Sequence, residues 1–201
     1  MFTGLVEEMG TVRDVRREDG GFALTIGADV VMEGMTLGCS IATNGVCLSV
    51  TAFGGDWFRV GLAPETLKKT SLRDAEPGLR VNLERSVTPT TRMGGHYVQG
   101  HVDGTGTLES IERDADALLV RIGCPPALMR YVVEKGYVAV DGTSLTVIDT
   151  GPDWFTLTLV AHTQPLIVLP LKAPGDPVNI ETDIVAKYAE KALLYAGKEA
   201  P

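Results

Sequence analysis

The chain has 201 residues and a formal net charge of -8 at pH 7. This charge disfavours a nucleic-acid partner, because binding to phosphates needs clustered Lys and Arg side chains. No apolar run approaches the length of a membrane span or a secretion signal, and the three cysteines lack the spacing of a disulfide framework or a zinc site. We therefore expect a cytoplasmic protein with free thiols and no membrane partner.

The first half of the chain predicts short strands joined by turns. Apolar stretches on either side of residues 19–21 indicate one hairpin, and residues 40–53 and 57–62 indicate a second. Residues 80–84 add a closing strand. Short strands at this spacing are typical of a closed antiparallel barrel.

The second half predicts the same plan, with strands at residues 118–122, 137–148, 154–160 and 178–181. Pro126 begins a stretch in which Met129, Val132 and Val133 have helical spacing, so we expect a short helix that closes one end of the barrel. Residues 86–95 are rich in Thr, Pro and Gly and form the expected linker between the halves.

An internal repeat relates the two halves. The stretch NGVCLSV at residues 44–50 recurs as DGTSLTV at residues 141–147. A period of this size matches a whole small domain and is too long for a solenoid. We therefore predict two tandem domains, residues 1–96 with the linker and residues 97–182, followed by a separate segment at residues 183–201.

The segment after Asp183 predicts a helix that has no counterpart in the first half. Its apolar and small residues fall on one face, and Thr182 or Asp183 can cap its start. Such a face favours contact with other copies of the chain, although packing on its own barrel is the alternative. The residues of this face are Val185, Tyr188, Ala189, Ala192 and Ala196.

The two copies differ in the reactive side chains at equivalent positions. Cys47 stands where the second copy has Ser144, and His101 stands where the first copy has Leu5. A thiol is most often a small apolar filler, and a single histidine is most often a surface or core residue. The changes at matched positions nevertheless predict two similar sites with unequal chemistry.

Three other kinds of catalytic site are disfavoured. Asp149 begins the motif DTG, but the first copy has Ala52 at the matching position, so an aspartic-protease dyad lacks its second carboxylate. His96, His101 and His162 have no spacing that places two of them on one helix face, which disfavours a metal site. The sequence also has no phosphate-binding loop or dinucleotide motif, which disfavours a nucleotide-driven reaction.

Several motifs together closely resemble riboflavin synthase of the alpha-chain type. They are MFTGLV at residues 1–6, NGVCLSV at 44–50, RMGGH at 92–96 leading to GHVD at 100–103, EKG at 134–136, DGTSLT at 141–146 and VNIE at 178–181. The resemblance implies an all-β fold of two tandem six-stranded antiparallel Greek-key barrels with short helices, plus a C-terminal α-helix. It also implies a homotrimer held by these helices, without a metal or cofactor.

The implied reaction is a dismutation of two molecules of 6,7-dimethyl-8-ribityllumazine, one bound in each barrel. A four-carbon unit moves between them, giving riboflavin and 5-amino-6-(ribitylamino)pyrimidinedione. Two unequal sites suit this reaction, because one lumazine molecule donates the four-carbon unit and an identical molecule accepts it. The alternative is a non-catalytic antenna protein that binds lumazine or flavin on the same fold; a flavoprotein reductase domain is more distant, since it would need a nucleotide-binding partner domain.

The resemblance also implies where the substrate-binding residues lie. In the first barrel they are Gly4, Leu5, Val6, Cys47, Leu48, Ser49, Gly61, Leu62, Ala63, Pro64, Glu65 and Thr66. In the second barrel they are Gly100, His101, Val102, Ser144, Leu145, Thr146, Thr158, Leu159, Val160, Ala161, His162 and Thr163, and Lys135 would reach the ligand of a neighbouring subunit. The family pattern ETLxxT, present from Glu65, is replaced by HTQPLI from His162, so we expect the contacts of the two pockets to differ there.

Five residues are candidates for catalysis. We predict Cys47 as a nucleophile or hydrogen-bond partner near C7 of the acceptor, and His101 as the base for its acidic methyl proton. Ser144, Thr146 and Asp183 are secondary candidates for polarising the donor.

Overall fold

Two closed barrels, each of six antiparallel strands, make up most of the computed structural model, which describes residues 1–18 and 21–196. This confirms the predicted all-β fold of two tandem six-stranded barrels. The predicted turn at Asp19 and Gly20, and residues 197–201 of the predicted C-terminal segment, lie outside the described residues.

The first barrel contains strands β1 (Glu8–Glu18), β2 (Gly21–Gly27), β3 (Ser40–Thr43), β4 (Val46–Phe53), β5 (Trp57–Leu62) and β6 (Arg80–Arg85). Strands β3, β4 and β5 pair in succession, and β6 returns to lie beside β3, which makes a Greek key. The predicted strand at residues 40–53 is divided by a tight turn at Asn44 and Gly45, whose φ angles are 45° and 76°.

The second barrel repeats this topology with strands β7 (Gly104–Asp114), β8 (Ala117–Gly123), β9 (Tyr137–Val140), β10 (Thr143–Thr150), β11 (Trp154–Leu159) and β12 (Pro177–Thr182). Asp141 and Gly142 form the matching turn between β9 and β10, with φ angles of 44° and 80°. The repeat in the sequence is therefore a repeat of the fold.

Among the described residues, three α-helices accompany the barrels: α1 (Pro64–Lys69), α2 (Pro126–Met129) and α3 (Ile184–Tyr195). Helix α2 is shorter than predicted, because tighter bonds between residues three apart succeed it at Tyr131 and Val132. As a result Val132 is buried, whereas Val133 faces solvent. The N-cap of α3 is Asp183, whose side chain accepts a hydrogen bond from the Val185 N–H at 2.9 Å.

Each barrel has its own apolar core because alternate residues of its strands point inward. A smaller cluster of Phe2, Ala42, Val98 and Ala139 lies between the barrels. The main-chain segments before β1 and before β7 supply Phe2 and Val98, so these opening segments help to join the two halves.

Reciprocal hydrogen bonds give the junction approximate twofold symmetry. The Asn82 side-chain amide donates to the carbonyl oxygen of Asp141, and the Asn179 amide donates to that of Asn44, each at 2.9 Å. These donors and acceptors are buried, so each bond satisfies a group that water cannot reach.

Candidate active site

A cavity of about 160 Å³ in the first barrel holds two of the predicted catalytic residues. Cys47 contributes from β4, and His101 contributes from the opening segment of the second repeat. The remaining walls come from β4, α1 and that same segment, through Val46, Glu65, Thr66, Lys69, Thr70, Gly100 and Val102. The fold therefore brings together side chains that are distant in the sequence.

Close main-chain contact holds the opening segment against Cys47. The Cys47 N–H donates to the Gly100 carbonyl oxygen at 2.9 Å. A Cβ atom on Gly100 would lie 2.6 Å from the Cβ atom of Cys47, and its φ of 78° also favours glycine. His101 comes directly after Gly100 and is anchored by its N–H, which donates to Glu181 at 2.8 Å, while its side chain is exposed.

The second barrel repeats this contact at Ser144. The Ser144 N–H on β10 donates to the Gly4 carbonyl oxygen at 2.8 Å, and Gly4 has a φ of 77°. Leu5 comes directly after Gly4 and is half exposed, at the position that His101 occupies in the other site. Each opening segment thus crosses over to the other barrel.

This crossing corrects one part of the sequence prediction. We expected Gly4 to Val6 to belong with Cys47, and Gly100 to Val102 to belong with Ser144. That grouping is wrong, because Val6 packs against the core of the second barrel and Val102 against the core of the first. Each site therefore combines residues from both repeats.

Ser144 and Asp183 converge on a residue that the sequence reasoning missed. His96 Nδ1 lies 2.7 Å from Ser144 Oγ, and the buried ring stacks on Tyr137 with centroids 5.1 Å apart. Burial lowers the pKa of His96, and the negative charge of Asp183 opposes this shift. A neutral imidazole beside a serine hydroxyl can orient it and exchange a proton with it.

The glycine pair before His96 was the available signal for this residue. A Cβ atom on Gly95 would lie 2.1 Å from the Thr3 carbonyl oxygen and 2.9 Å from the Ser144 Cβ atom. Glycine lets the linker come this close to β10, and the close approach delivers His96 to Ser144.

The other predicted site residues fall into three groups. Side chains in the barrel cores can offer a ligand only their main chain, and these are Leu48, Leu62, Leu145 and Leu159. Exposed or half-buried residues on β4, β10 and β11 are Ser49, Thr146 and Thr158. The third group lies at the end of β5, at the start of α1 and in the turns after β5 and β11, and contains Gly61, Ala63, Pro64, Val160, Ala161, His162 and Thr163.

Lys135 has a left-handed main chain, with a φ of 61°, and an exposed side chain. Its counterpart in the first copy is Gly38, which has a φ of 81° and makes the same main-chain hydrogen bond to the neighbouring strand. Lysine at a position that favours glycine costs about 1 kcal/mol or more. Backbone strain of this kind often marks functional positions.

Comparison with known proteins identifies the family. A family model of the lumazine binding domain matches residues 3–86 and again residues 99–183. Riboflavin synthase of Actinobacillus pleuropneumoniae is 42% identical over 100% of this chain and 94% of its own length, and that of Schizosaccharomyces pombe is 44% identical over 96% and 94%. The chain belongs to the riboflavin synthase family.

Solved structures of LumP share the fold of this family member. LumP complexed with 6,7-dimethyl-8-(1'-D-ribityl) lumazine superimposes with a TM-score of 0.82, and LumP complexed with riboflavin with 0.85. Both alignments cover 90% of this chain and 99% of the LumP chain at 23% sequence identity. At that identity the likeness concerns the fold alone.

A larger cavity, of about 610 Å³, lies on the first barrel of the protein. Of the predicted site residues, Leu5 alone lines it. The cavity lies near Glu7 and Glu33. At the matching place on the second barrel, α3 is seated, and Lys187 pairs with Asp103 at 2.7 Å. The larger cavity therefore corresponds to the surface of the second barrel against which α3 packs.

Proposed function

We infer that the protein is a riboflavin synthase, which converts two molecules of 6,7-dimethyl-8-ribityllumazine into riboflavin and 5-amino-6-(ribitylamino)pyrimidinedione. The donor loses a four-carbon unit and the acceptor gains it. Atoms and electrons balance between the two substrate molecules, so no external oxidant or reductant is needed.

The observation that carries this function is the pair of equivalent sites with unequal side chains. Cys47 and Ser144 occupy the same position in two copies of one fold, and the N–H of each donates a hydrogen bond to a glycine carbonyl of an opening segment. Such sites suit a reaction in which one molecule is the donor and an identical molecule is the acceptor. Holding both in register can contribute roughly 7 to 11 kcal/mol toward the barrier.

We assign the acceptor to the first barrel. The Cys47 thiol acts as a nucleophile or hydrogen-bond partner near C7, and the His101 imidazole takes the acidic methyl proton. Their presence in one cavity supports these roles. We also assign substrate binding to Glu65 and Thr66, which line the same cavity.

We assign the donor to the second barrel, where Ser144 is the polarising group. His96 orients its hydroxyl, and Asp183 adds a negative charge close to the imidazole. Thr146 lies two residues further along β10, on the same face as Ser144. The donor site therefore has hydroxyls and an imidazole where the acceptor site has a thiol.

We further propose that the protein is a homotrimer assembled through α3. The helix contacts its own barrel through polar pairs, including Lys187 with Asp103 and Glu190 with Arg130. Large apolar side chains of α3 remain between 60% and 74% exposed, and these include Val185, Tyr188, Leu193 and Leu194. Exposed apolar side chains of this size are covered when helices from other copies pack together.

We place the protein in the cytoplasm, where a reducing environment suits the free thiols of Cys39, Cys47 and Cys124. Within residues 1–18 and 21–196, none of the helices is long and apolar enough to cross a membrane.

The deciding experiment supplies purified protein with the lumazine and monitors riboflavin by its fluorescence. We expect turnover by the wild type and a loss of at least roughly a hundredfold in Cys47→Ala and His101→Ala, with the ligand still bound. A non-catalytic antenna protein would bind lumazine without forming riboflavin. If both variants kept wild-type turnover, the assigned roles would be wrong even though the enzyme assignment stood.

A further inference from the structure

Two buried glutamates occupy matching positions in the closing strands of the two barrels. Glu84 lies on β6 and is 6% exposed, and Glu181 lies on β12 and is 2% exposed. Among the ion pairs of the described residues, neither carboxylate takes part. Burying a carboxylate without a paired cation is costly unless hydrogen bonds compensate.

Main-chain N–H groups of the opening segments supply that compensation. Glu181 accepts from the N–H of Gln99 at 2.6 Å through one oxygen and from that of His101 at 2.8 Å through the other. Glu84 accepts from the N–H of Thr3 at 2.6 Å and, through its second oxygen, from that of Gly4 at 3.0 Å. Each carboxylate therefore accepts main-chain hydrogen bonds from one opening segment through both of its oxygens.

Each of these opening segments is held by a glutamate of one barrel but contacts the candidate site on the other barrel. Glu181 belongs to the second barrel, but the segment that it holds forms a wall of the cavity around Cys47. Glu84 belongs to the first barrel, but the segment that it holds lies against Ser144. The hydrogen bonds from the Cys47 and Ser144 N–H groups complete these crossed contacts.

We propose that Glu181 and Glu84 are positioning residues that act across the barrel junction. Glu181 fixes His101 in the acceptor site on the first barrel, and Glu84 fixes Gly4 and Leu5 in the donor site on the second. The proposal rests on the proposed function for the meaning of the two sites. The clamping itself is a matter of geometry.

An ionised carboxylate suits this task better than an amide. Both of its oxygens are acceptors, whereas an amide would turn its NH₂ group toward one of the two N–H donors. Burial raises the pKa of both carboxyl groups, and hydrogen bonds from the clamped segments oppose that shift. Glutamine at either position would therefore release one end of the segment while keeping the shape of the side chain.

Double-mutant cycles test the crossed arrangement. Glu181→Gln should lower kcat by roughly tenfold to a hundredfold, because a small displacement of a reacting group has effects of this size. Its effect should be largely lost when combined with His101→Ala, and should add to that of Ser144→Ala. Glu84→Gln should show the reverse pattern. If Glu181→Gln coupled to Ser144→Ala and not to His101→Ala, the proposal would be wrong.

A readout without turnover separates this proposal from the assigned reaction. The NMR signals of the His101 imidazole should shift in Glu181→Gln and stay in place in Glu84→Gln. Unchanged signals in both variants would overturn the proposed positioning role. A shift in Glu181→Gln, together with a wild-type protein that forms no riboflavin from the lumazine, would leave the positioning role intact and refute the function. If Glu181→Gln failed to fold, Glu181→Asp would replace it, since it keeps the charge but is shorter by one methylene.

Discussion

The proposed donor site contains a buried histidine beside the Ser144 hydroxyl. His96 is buried, its Nδ1 contacts Ser144 Oγ at 2.7 Å, and among the described residues its Nε2 has no hydrogen-bond partner. Burial lowers the pKa of His96, so at neutral pH the imidazole is in its neutral form. In that form Nδ1 accepts from the Ser144 hydroxyl or donates to it, according to the tautomer.

The same shift predicts a pH dependence of stability. The folded protein binds a proton at His96 less readily than the unfolded chain does. The contribution of His96 to the free energy of unfolding is therefore fully present above the unfolded pKa of about 6.5, and it is lost as the pH drops toward the lower pKa of the folded state. Urea unfolding over this window should show the decrease, and His96→Gln should remove part of it. An identical pH profile in the variant would contradict the prediction.

At Lys135 we predict that activity and stability separate. Lys135→Gly should leave the free energy of unfolding within about 1 kcal/mol of wild type, because relief of left-handed strain offsets the added freedom of the unfolded chain. If Lys135 reaches a neighbour's ligand, kcat/KM should nevertheless fall by about tenfold or more. Lys135→Arg keeps a positive charge at the same strained position and should retain more activity. Wild-type kcat/KM in the glycine variant would refute the ligand contact.

At the scale of elements, the two repeats differ most in the segment that comes after their last strand. After β12 the chain continues as α3, whose N-cap is Asp183. After β6 it enters the linker that carries His96. On the second barrel α3 covers a surface whose counterpart on the first barrel is the larger cavity. The second repeat therefore ends in a helix, whereas the first ends in a segment that brings His96 to Ser144.

Removal of α3 tests its role in assembly. A chain that ends at Asp183 should still fold as two barrels and bind lumazine, because both apolar cores consist of residues that precede the helix. It should sediment as a smaller species, and turnover should fall with the trimer. An unchanged trimer in sedimentation would show that other surfaces hold the assembly.

The whole molecule couples its two sites through one junction. Crossed opening segments, reciprocal asparagine hydrogen bonds and the small apolar cluster around Phe2 and Val98 all lie between the barrels. A disturbance at the junction should therefore affect both sites. We further propose that the first barrel of one subunit faces the second barrel of the next.

Mixed trimers test that intersubunit arrangement. One variant, Cys47→Ala, is damaged in the first barrel, and another, Ser144→Ala with Thr146→Ala, is damaged in the second. When the two are refolded together, some junctions pair an intact first barrel with an intact second barrel of a different chain. Activity should then exceed the average of the parents. Activity at that average in verified mixed trimers would mean that each productive site lies within one chain.

The sequence by itself determined the duplication, the all-β class and the start of α3. These are local or periodic properties: alternating apolar residues specify strands, the repeated NG and DG turns specify hairpins, and Asp183 caps a helix through its own side chain. The sequence also singled out Cys47, His101 and Ser144 as candidate site residues, because a duplicated chain contains its own reference at every position.

Only the tertiary structure decided which segments meet. The sequence order places Gly4 with Cys47 and Gly100 with Ser144, but the opening segments exchange barrels, and no periodic pattern records such a crossing. His96 and Glu181 escaped notice for the same reason. Their partners, the Ser144 hydroxyl and the His101 N–H, are far away in the chain, and burial between two packed barrels is what gives both contacts their strength.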